Sequence, residues 1–263
     1  MNLFESIILG LLQGLTEFLP VSSSGHLELG KYLFGIDAEA NFYFSIAVHG
    51  ATVLSTIIVL WKEIETLVKG FFRFRWNEET IYIVKIFISM IPTAIAGIFL
   101  SEITENYFTG NMTALGFQFI ITAILLLLPL LIRPKEKPIS YSDSFLIGLA
   151  QAFAILPAIS RSGATIATGM MLGNKKSEIA KFSFLMVLIP IIGANFIELR
   201  SGDFSTEGTS FTVIIAGFLA AFVSGYMACK WMINLVKKGN LAWFAIYCTL
   251  IGIVSILLGL HVI

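Results

Sequence analysis

A chain of 263 residues that is 57% hydrophobic and only 13% charged, with a mean hydropathy of +0.87, is excluded as a soluble domain and is expected in a membrane. Its formal net charge of zero gives no general attraction for nucleic acid, and no nucleic-acid partner is expected. Cys229 and Cys248 lie at or within late apolar runs, where a thiol is a small apolar side chain without a redox message.

The N-terminal run lacks a basic leader, so no cleavable signal is expected. Residues 3–19 are predicted to form a helix of about 25 Å, stopped by Pro20. Ser6, Gly10, Gln13 and Glu17 share one face of it at i, i+4, i+7 and i+11, surrounded by Leu, Ile and Phe. A carboxylate at membrane depth costs about 2.5 to 3.5 kcal/mol, so Glu17 should face a polar cavity, a cation or a basic partner. The plainer alternative is a small-residue packing face with one hydrogen-bonded acid.

Pro20-Val21-Ser22-Ser23-Ser24-Gly25-His26 follows, then a short helix over 26–35 that ends at Gly35 and is too short to cross a bilayer. Backbone N–H groups at such a helix start favour an anion. Ser22, Ser23 and Ser24 can donate to phosphate, cap the helix or attack, and His26 can be an acid, a base or a nucleophile. Apolar runs at 43–61, 83–101 and 113–132 are predicted spans, followed by a linker at 133–142. His49, inside the first run, and His261, at the end of the chain, are weaker candidates for chemistry.

Ser144, Gly148 and Gln151 then repeat Ser6, Gly10 and Gln13 at a distance of 138 positions. A helix over 143–156 stops at Pro157. The loop Pro157-Ala158-Ile159-Ser160-Arg161-Ser162-Gly163 leads to a short helix over 164–172, and runs at 182–199, 211–229 and 242–262 complete six spans. In this copy Ile155 stands where Glu17 was and Arg161 where Ser23 was. Arg161 offers a planar donor fork suited to phosphate oxygens, with a structural ion pair to Glu17 as its alternative.

The expected fold is an all-α integral membrane protein forming one membrane domain over 1–263. It is an inverted repeat, each half a re-entrant helix hairpin plus three transmembrane helices. Repeat one covers 1–132, with its re-entrant part at 3–35, and repeat two covers 143–263, with its re-entrant part at 143–173. Three spans between the hairpins, an odd number, invert the second copy and let the loops meet near the midplane. With both termini outside, 14 of the 17 Lys and Arg fall on the cytoplasmic side, the 133–142 linker included, and the acidic Asp37, Glu39, Glu102, Glu105, Asp203 and Glu207 fall outside. Neither a zinc spacing nor a Gly-x-x-x-x-Gly-Lys loop is present.

The run Gln13-Gly14-Leu15-Thr16-Glu17-Phe18-Leu19-Pro20-Val21-Ser22-Ser23-Ser24-Gly25-His26 resembles the glutamate-rich motif of the undecaprenyl-diphosphate phosphatases, the BacA/UppP family. Pro157 to Gly163, followed by Ala164-Thr165, is similar to that family's Pro-Gly-x-Ser-Arg-Ser-Gly motif, and the resemblance covers essentially the whole chain. It implies hydrolysis of the terminal phosphate of undecaprenyl diphosphate, a polyprenyl diphosphate lipid, in the bacterial cytoplasmic membrane. It also implies a site open to the outer face and supported by Mg2+ or Ca2+. Gln13 is the neutral variant of the first acidic position, and Ala158 replaces a glycine, which argues either that this position needs no positive φ or that the loop backbone differs slightly. His26, Glu17, Ser23 and Arg161 are the expected catalytic set, His26 the first candidate nucleophile and Ser23 its rival. Gln13, Ser22, Ser24, Gly25, Ser160, Ser162 and Gly163 are expected to bind substrate, and Glu17 with Gln13 to hold the cation or orient His26. A homo-oligomer stays open.

Two other readings compete. A prenyl-phosphate translocase needs the same inverted repeat, basic loop and greasy flank. Another group of membrane lipid phosphatases shares Ser-Gly-His and Ser-Arg fragments, but it places a histidine after the arginine, and here Ala164-Thr165-Ile166 follows.

Overall fold

The computed structural model describes residues 1–36, 42–108, 110–132, 135–201, 210–238 and 240–261, with the backbone alone at 42, 101–108, 194 and 197–201. The expected outer charges Asp37, Glu39, Asp203 and Glu207, and the basic Arg133, lie outside the described residues. Eleven α-helices make up the described chain. The first four are α1 (Leu3–Phe18), α2 (Ser23–Phe34), α3 (Phe42–Val59) and α4 (Trp61–Phe71). Next come α5 (Glu78–Phe108) and α6 (Met112–Leu127), the latter extended by a 3-10 turn at Leu128–Leu131. The rest are α7 (Tyr141–Phe153), α8 (Arg161–Met171), α9 (Lys176–Ser201), α10 (Phe211–Lys238) and α11 (Ala242–Gly259).

Exposed side chains such as Phe4, Ile98, Phe99, Phe211 and Trp243 form an apolar exterior that fits lipid and not water. Four described segments are long and apolar enough to span: Glu78–Leu100, Met112–Leu131, Phe211–Lys238 and Ala242–Gly259. A fifth arises if Tyr43–Val59 and Trp61–Phe71, bent by 74°, count as one. The chain is therefore a multi-pass membrane protein. Six full spans were expected. The first expected run, 43–61, is helical as α3 over Phe42–Val59, and the chain then bends by 74° into the amphipathic α4, where Ile64, Leu67 and Val68 are set against Lys62, Glu63, Glu65 and Lys69. The run at 182–199 lies in α9, where several side chains fall outside the description.

The short helices begin earlier than expected. Ser22 Oγ accepts from the Gly25 N–H at 3.3 Å, so α2 starts at Ser23 instead of 26; Ser160 Oγ accepts from the Gly163 N–H at 3.0 Å, so α8 starts at Arg161 instead of 164. Gly25 and Gly163 thus sit in first turns. Ser22 itself has φ 69°, a strained backbone held by the loop around it.

Helix α1 packs chiefly on α10 and α7 chiefly on α5, while α6 and α11 pack on each other. Close backbone approach makes this feasible: a Cβ at Gly10 would strike the Gly217 carbonyl, and one at Gly148 the Ser89 carbonyl. The largest core cluster gathers Phe18, Leu126, Ile147, Phe182, Met186 and Met232. On the α7 side the linker adds a short clasp. The Lys137 N–H donates to Gly173 O at 3.0 Å and the Lys175 N–H to Lys137 O at 2.9 Å.

Candidate active site

The α1–α2 and α7–α8 loops touch through reciprocal hydrogen bonds. Ser22 Oγ donates to Pro157 O at 3.1 Å, Ser24 Oγ donates to the same carbonyl, and Ser162 Oγ donates to Leu19 O at 3.1 Å. Buried carbonyls need such partners, and here each loop supplies the other's. Helix α6 ties down the second loop. Gln118 Oε1 accepts from the Ala158 N–H at 2.7 Å, while Thr122 Oγ1 donates to Ala158 O at 3.2 Å and accepts from the Ser160 N–H at 3.1 Å. Ala158 is absent from the positive-φ residues, in line with its replacing a glycine without strain.

Where the loops meet, Glu17 and Arg161 form an ion pair at 2.9 Å, with the carboxylate side chain 8% exposed and the guanidinium 33%. The second carboxylate oxygen accepts from Ser23 Oγ at 2.5 Å and from Gln13 Nε2 at 3.0 Å. A buried carboxylate with a cation and two further donors has its lone pairs well used, the condition under which burial of charge is tolerated. Gln13 Oε1 is buried without a partner. Glu17 and Arg161 also line a small cavity of about 20 Å³, where Thr52, Thr56, Gln151, Thr165 and Ser183 face apolar side chains that include Phe18, Phe184 and Leu188. A water needs about 10–15 Å³ of such space, so it has room for one.

Both short helices point their starts into this region. Helix geometry leaves the first N–H groups of α2 and α8 without intrahelical acceptors, and the caps use only those of Gly25 and Gly163. The N–H groups of Ser23, Ser24, Arg161 and Ser162 are therefore the ones oriented for an anion.

His26 is 4% exposed and both ring nitrogens are engaged. Nδ1 lies 2.6 Å from Ser22 O and Nε2 lies 2.8 Å from the Tyr247 hydroxyl. The ring stacks on Tyr247 at 5.6 Å and 5°, and meets the edge of Phe119 at 5.1 Å and 85°. His49 bonds a carbonyl of its own helix, Ser45 O, at 2.8 Å, as a packing histidine does.

Gln13, Glu17, Ser22, Ser23, Ser24, Ser160, Arg161 and Ser162 thus converge around two touching loops. Gly25 serves through its lack of a side chain, since a Cβ there would press on the Phe119 ring and Ala158. Sequence reasoning missed Gln118, Thr122, Thr52, Thr56, Ser183 and Tyr247. Polar residues four apart within apolar runs, Gln118 with Thr122 and Thr52 with Thr56, were a usable signal; Tyr247 had none. Among the described residues no group of three or more His, Cys, Asp or Glu is placed to hold a metal ion.

The family described as bacitracin resistance protein BacA matches residues 6–254. A protein of Bacteroides fragilis named undecaprenyl-diphosphatase is 50% identical over 268 residues, which cover 98% of this chain and 99% of that protein. Proteins of the same name from Parabacteroides distasonis and Christiangramia forsetii are 50% and 48% identical, each alignment covering 98% of both chains to within a percentage point. With the Glu17–Ser23–Arg161 cluster inside the matched region and the likeness running end to end, the chain belongs to the bacitracin resistance protein BacA family.

Proposed function

We propose that this protein is an undecaprenyl-diphosphatase: it removes the terminal phosphate of undecaprenyl diphosphate and regenerates the lipid monophosphate that carries cell-wall precursors. The observation that carries this reading is the Ser23 hydroxyl at 2.5 Å from the Glu17 carboxylate, whose other oxygen pairs with Arg161. Phosphoryl transfer asks mainly for a positioned nucleophile and neutralised charge, and this cluster offers both.

The geometry favours Ser23 over His26 as the attacking group, because the Ser23 hydroxyl is bonded to a carboxylate that can take its proton, while the one lone pair of His26 is turned to the Tyr247 hydroxyl, through which it can exchange protons but not reach phosphorus. Ser23 Oγ attacks the terminal phosphorus and passes its proton to Glu17. The bond from phosphorus to the bridging oxygen breaks, and undecaprenyl phosphate leaves. Arg161 and the N–H groups at the starts of α2 and α8 hold the phosphate oxygens. Water then attacks the serine phosphate and passes a proton to His26, the bond from phosphorus to Ser23 Oγ breaks, Glu17 returns its proton to Ser23 Oγ, and inorganic phosphate leaves.

A divalent cation, Mg2+ or Ca2+, fits beside this set. Gln13 Oε1 is a buried oxygen in need of a partner, and one carboxylate plus substrate phosphates is a usual shell for Mg2+. Glu17 and Gln13 would hold it, and it would neutralise charge developing on the diphosphate.

The two hairpins are re-entrant and the halves are an inverted repeat. The exchanged packing of α1 on α10 and of α7 on α5 supports this, each hairpin helix seated on the second long helix of the other half. The basic loops put both termini outside the bacterial cytoplasmic membrane, with the site open outward. Cysteines introduced near 69, 135 and 237 should then escape a reagent applied from outside, and one near 105 should react; the reverse pattern would overturn the orientation.

Purified protein in detergent, given undecaprenyl diphosphate and Mg2+, should release inorganic phosphate, which a prenyl-phosphate translocase would not do. Ser23→Ala should lose at least about 10³-fold in kcat. An acid-labile phosphoenzyme in place of an acid-stable one would return the nucleophile to His26.

A further inference from the structure

We propose that Tyr247 is a positioning residue for this reaction, its hydroxyl holding in one orientation a His26 ring whose tautomer the Ser22 carbonyl fixes. The inference rests on the reading that His26 takes part in proton transfer. A carbonyl oxygen only accepts, so the ring nitrogen 2.6 Å from Ser22 O must carry a hydrogen. In the neutral ring Nε2 then holds the lone pair, and the Tyr247 hydroxyl 2.8 Å away donates to it. When the ring gains a proton, Nε2–H becomes the donor and the same hydroxyl oxygen accepts. A hydroxyl can answer both states by rotating its O–H, which neither a carbonyl nor an ammonium can do.

The surroundings restrict the ring to this arrangement. Ser22, whose φ of 69° is strained, offers its carbonyl to Nδ1 while also accepting the His26 N–H at 3.3 Å. Phe119 closes one side edge-on, and Tyr247 lies parallel across the ring face. Tyr247 itself is 40% exposed while His26 is 4% exposed, so the tyrosine covers the histidine. Its position on α11, within Phe244-Ala245-Ile246-Tyr247-Cys248, lets a helix of the second half steady a residue of the first hairpin. Cys248, next along, donates to Pro20 O at 3.8 Å, so α11 touches the same loop twice.

Tyr247→Phe keeps the stacked ring and removes only the hydroxyl. It should lower kcat by about 10-fold with KM changed less than about twofold, the mark of lost alignment and not of lost binding. Combined with His26→Ala it should add nothing to the loss from His26→Ala alone. On 15N-histidine-labelled protein, with His26 assigned by comparison with His26→Ala, the wild type should show an Nδ1–H tautomer whose Nε2 is hydrogen-bonded, and Tyr247→Phe the same tautomer with the Nε2 resonance moved downfield by loss of that bond. Unchanged kcat together with an unmoved Nε2 resonance would overturn the proposal, as would an equal loss in the His26→Ala background. Near-normal turnover in His26→Ala sinks the role of His26 itself, an outcome distinct from failure of Tyr247 alone. Where His26→Ala leaves no measurable turnover, the nitrogen spectra decide.

Discussion

Hairpin one, α1 with α2, and hairpin two, α7 with α8, share a plan and differ in what they carry. Each is a helix with a buried Ser, Gly and Gln on one face, a proline-bearing turn and a short helix capped by a serine. The first holds the carboxylate, the candidate nucleophile and the histidine. The second has Ile155 and Ala164 at the positions corresponding to Glu17 and His26, and supplies the cation at the position of Ser23. Anchoring differs in the same sense. The second loop is fixed by three hydrogen bonds with α6, the first by the Tyr247 hydroxyl on His26 and a weak thiol contact from α11 and by the second loop itself. Duplication thus supplied a frame for two converging helix starts, and divergence put opposite charges on them. One loop is firmly held and bears the fixed charge, and the other bears the groups that must change protonation.

The sharpest way to break this division is Arg161→Lys. If the second hairpin's contribution is a planar fork and not merely a charge, activity should fall by about 100-fold in phosphate release. Near-normal turnover would mean that any cation suffices there. Next in size is a paired test of the common frame. Gly10→Val and Gly148→Val should each destabilise the detergent-solubilised protein by about 1–3 kcal/mol, since both new side chains meet backbone carbonyls that cannot move aside. Thermal unfolding that left one variant at wild-type stability would show that the two helices are not seated alike.

The smallest effect concerns the helix starts. Helix α1 begins with an exposed box of Asn2 and Glu5, while α7 begins with Ser140 and a buried Asp143. Burial alone would raise the Asp143 carboxyl, but hydrogen bonds from the Ser140 N–H, Asn174, Lys137 and the Ser140 hydroxyl bring it down to about 2, from an ordinary 3.8. A depressed carboxyl stabilises the fold in full above its unfolded value, and that contribution fades as pH falls from about 4 toward 2. Asp143→Asn should therefore cost about 1 kcal/mol at pH 7 and flatten the acid limb of a stability curve. The matching Glu5→Gln change should cost less, because its cap is exposed. Equal losses would erase this difference between the hairpins.

Much was legible beforehand because it depends on local patterning. Runs of apolar residues, the prolines at 20 and 157, the serine-rich turns and the spacing of Ser6, Gly10 and Gln13 follow from helix periodicity and from backbone rules that act within a few residues. Glu17 and Arg161 could be paired on paper because a charge in apolar sequence must find a partner. Helix starts were misplaced by three residues, since Ser22 and Ser160 cap one turn earlier than the glycines suggested. The bend after Val59 was hidden inside a continuous apolar run.

What only the tertiary structure decided lies between distant segments. Gln118 and Thr122 reach across from α6 to the second loop, Tyr247 crosses 221 positions to His26, and Gly10 meets Gly217. Such contacts depend on how helices cross and rotate, and a tyrosine in an apolar helix reads the same whether it faces lipid or a histidine. Composition and periodicity determined that this chain enters a membrane and repeats a polar turn. Packing decided which groups those turns meet, because side-chain chemistry fixes what a residue needs and only the assembled fold fixes what it finds.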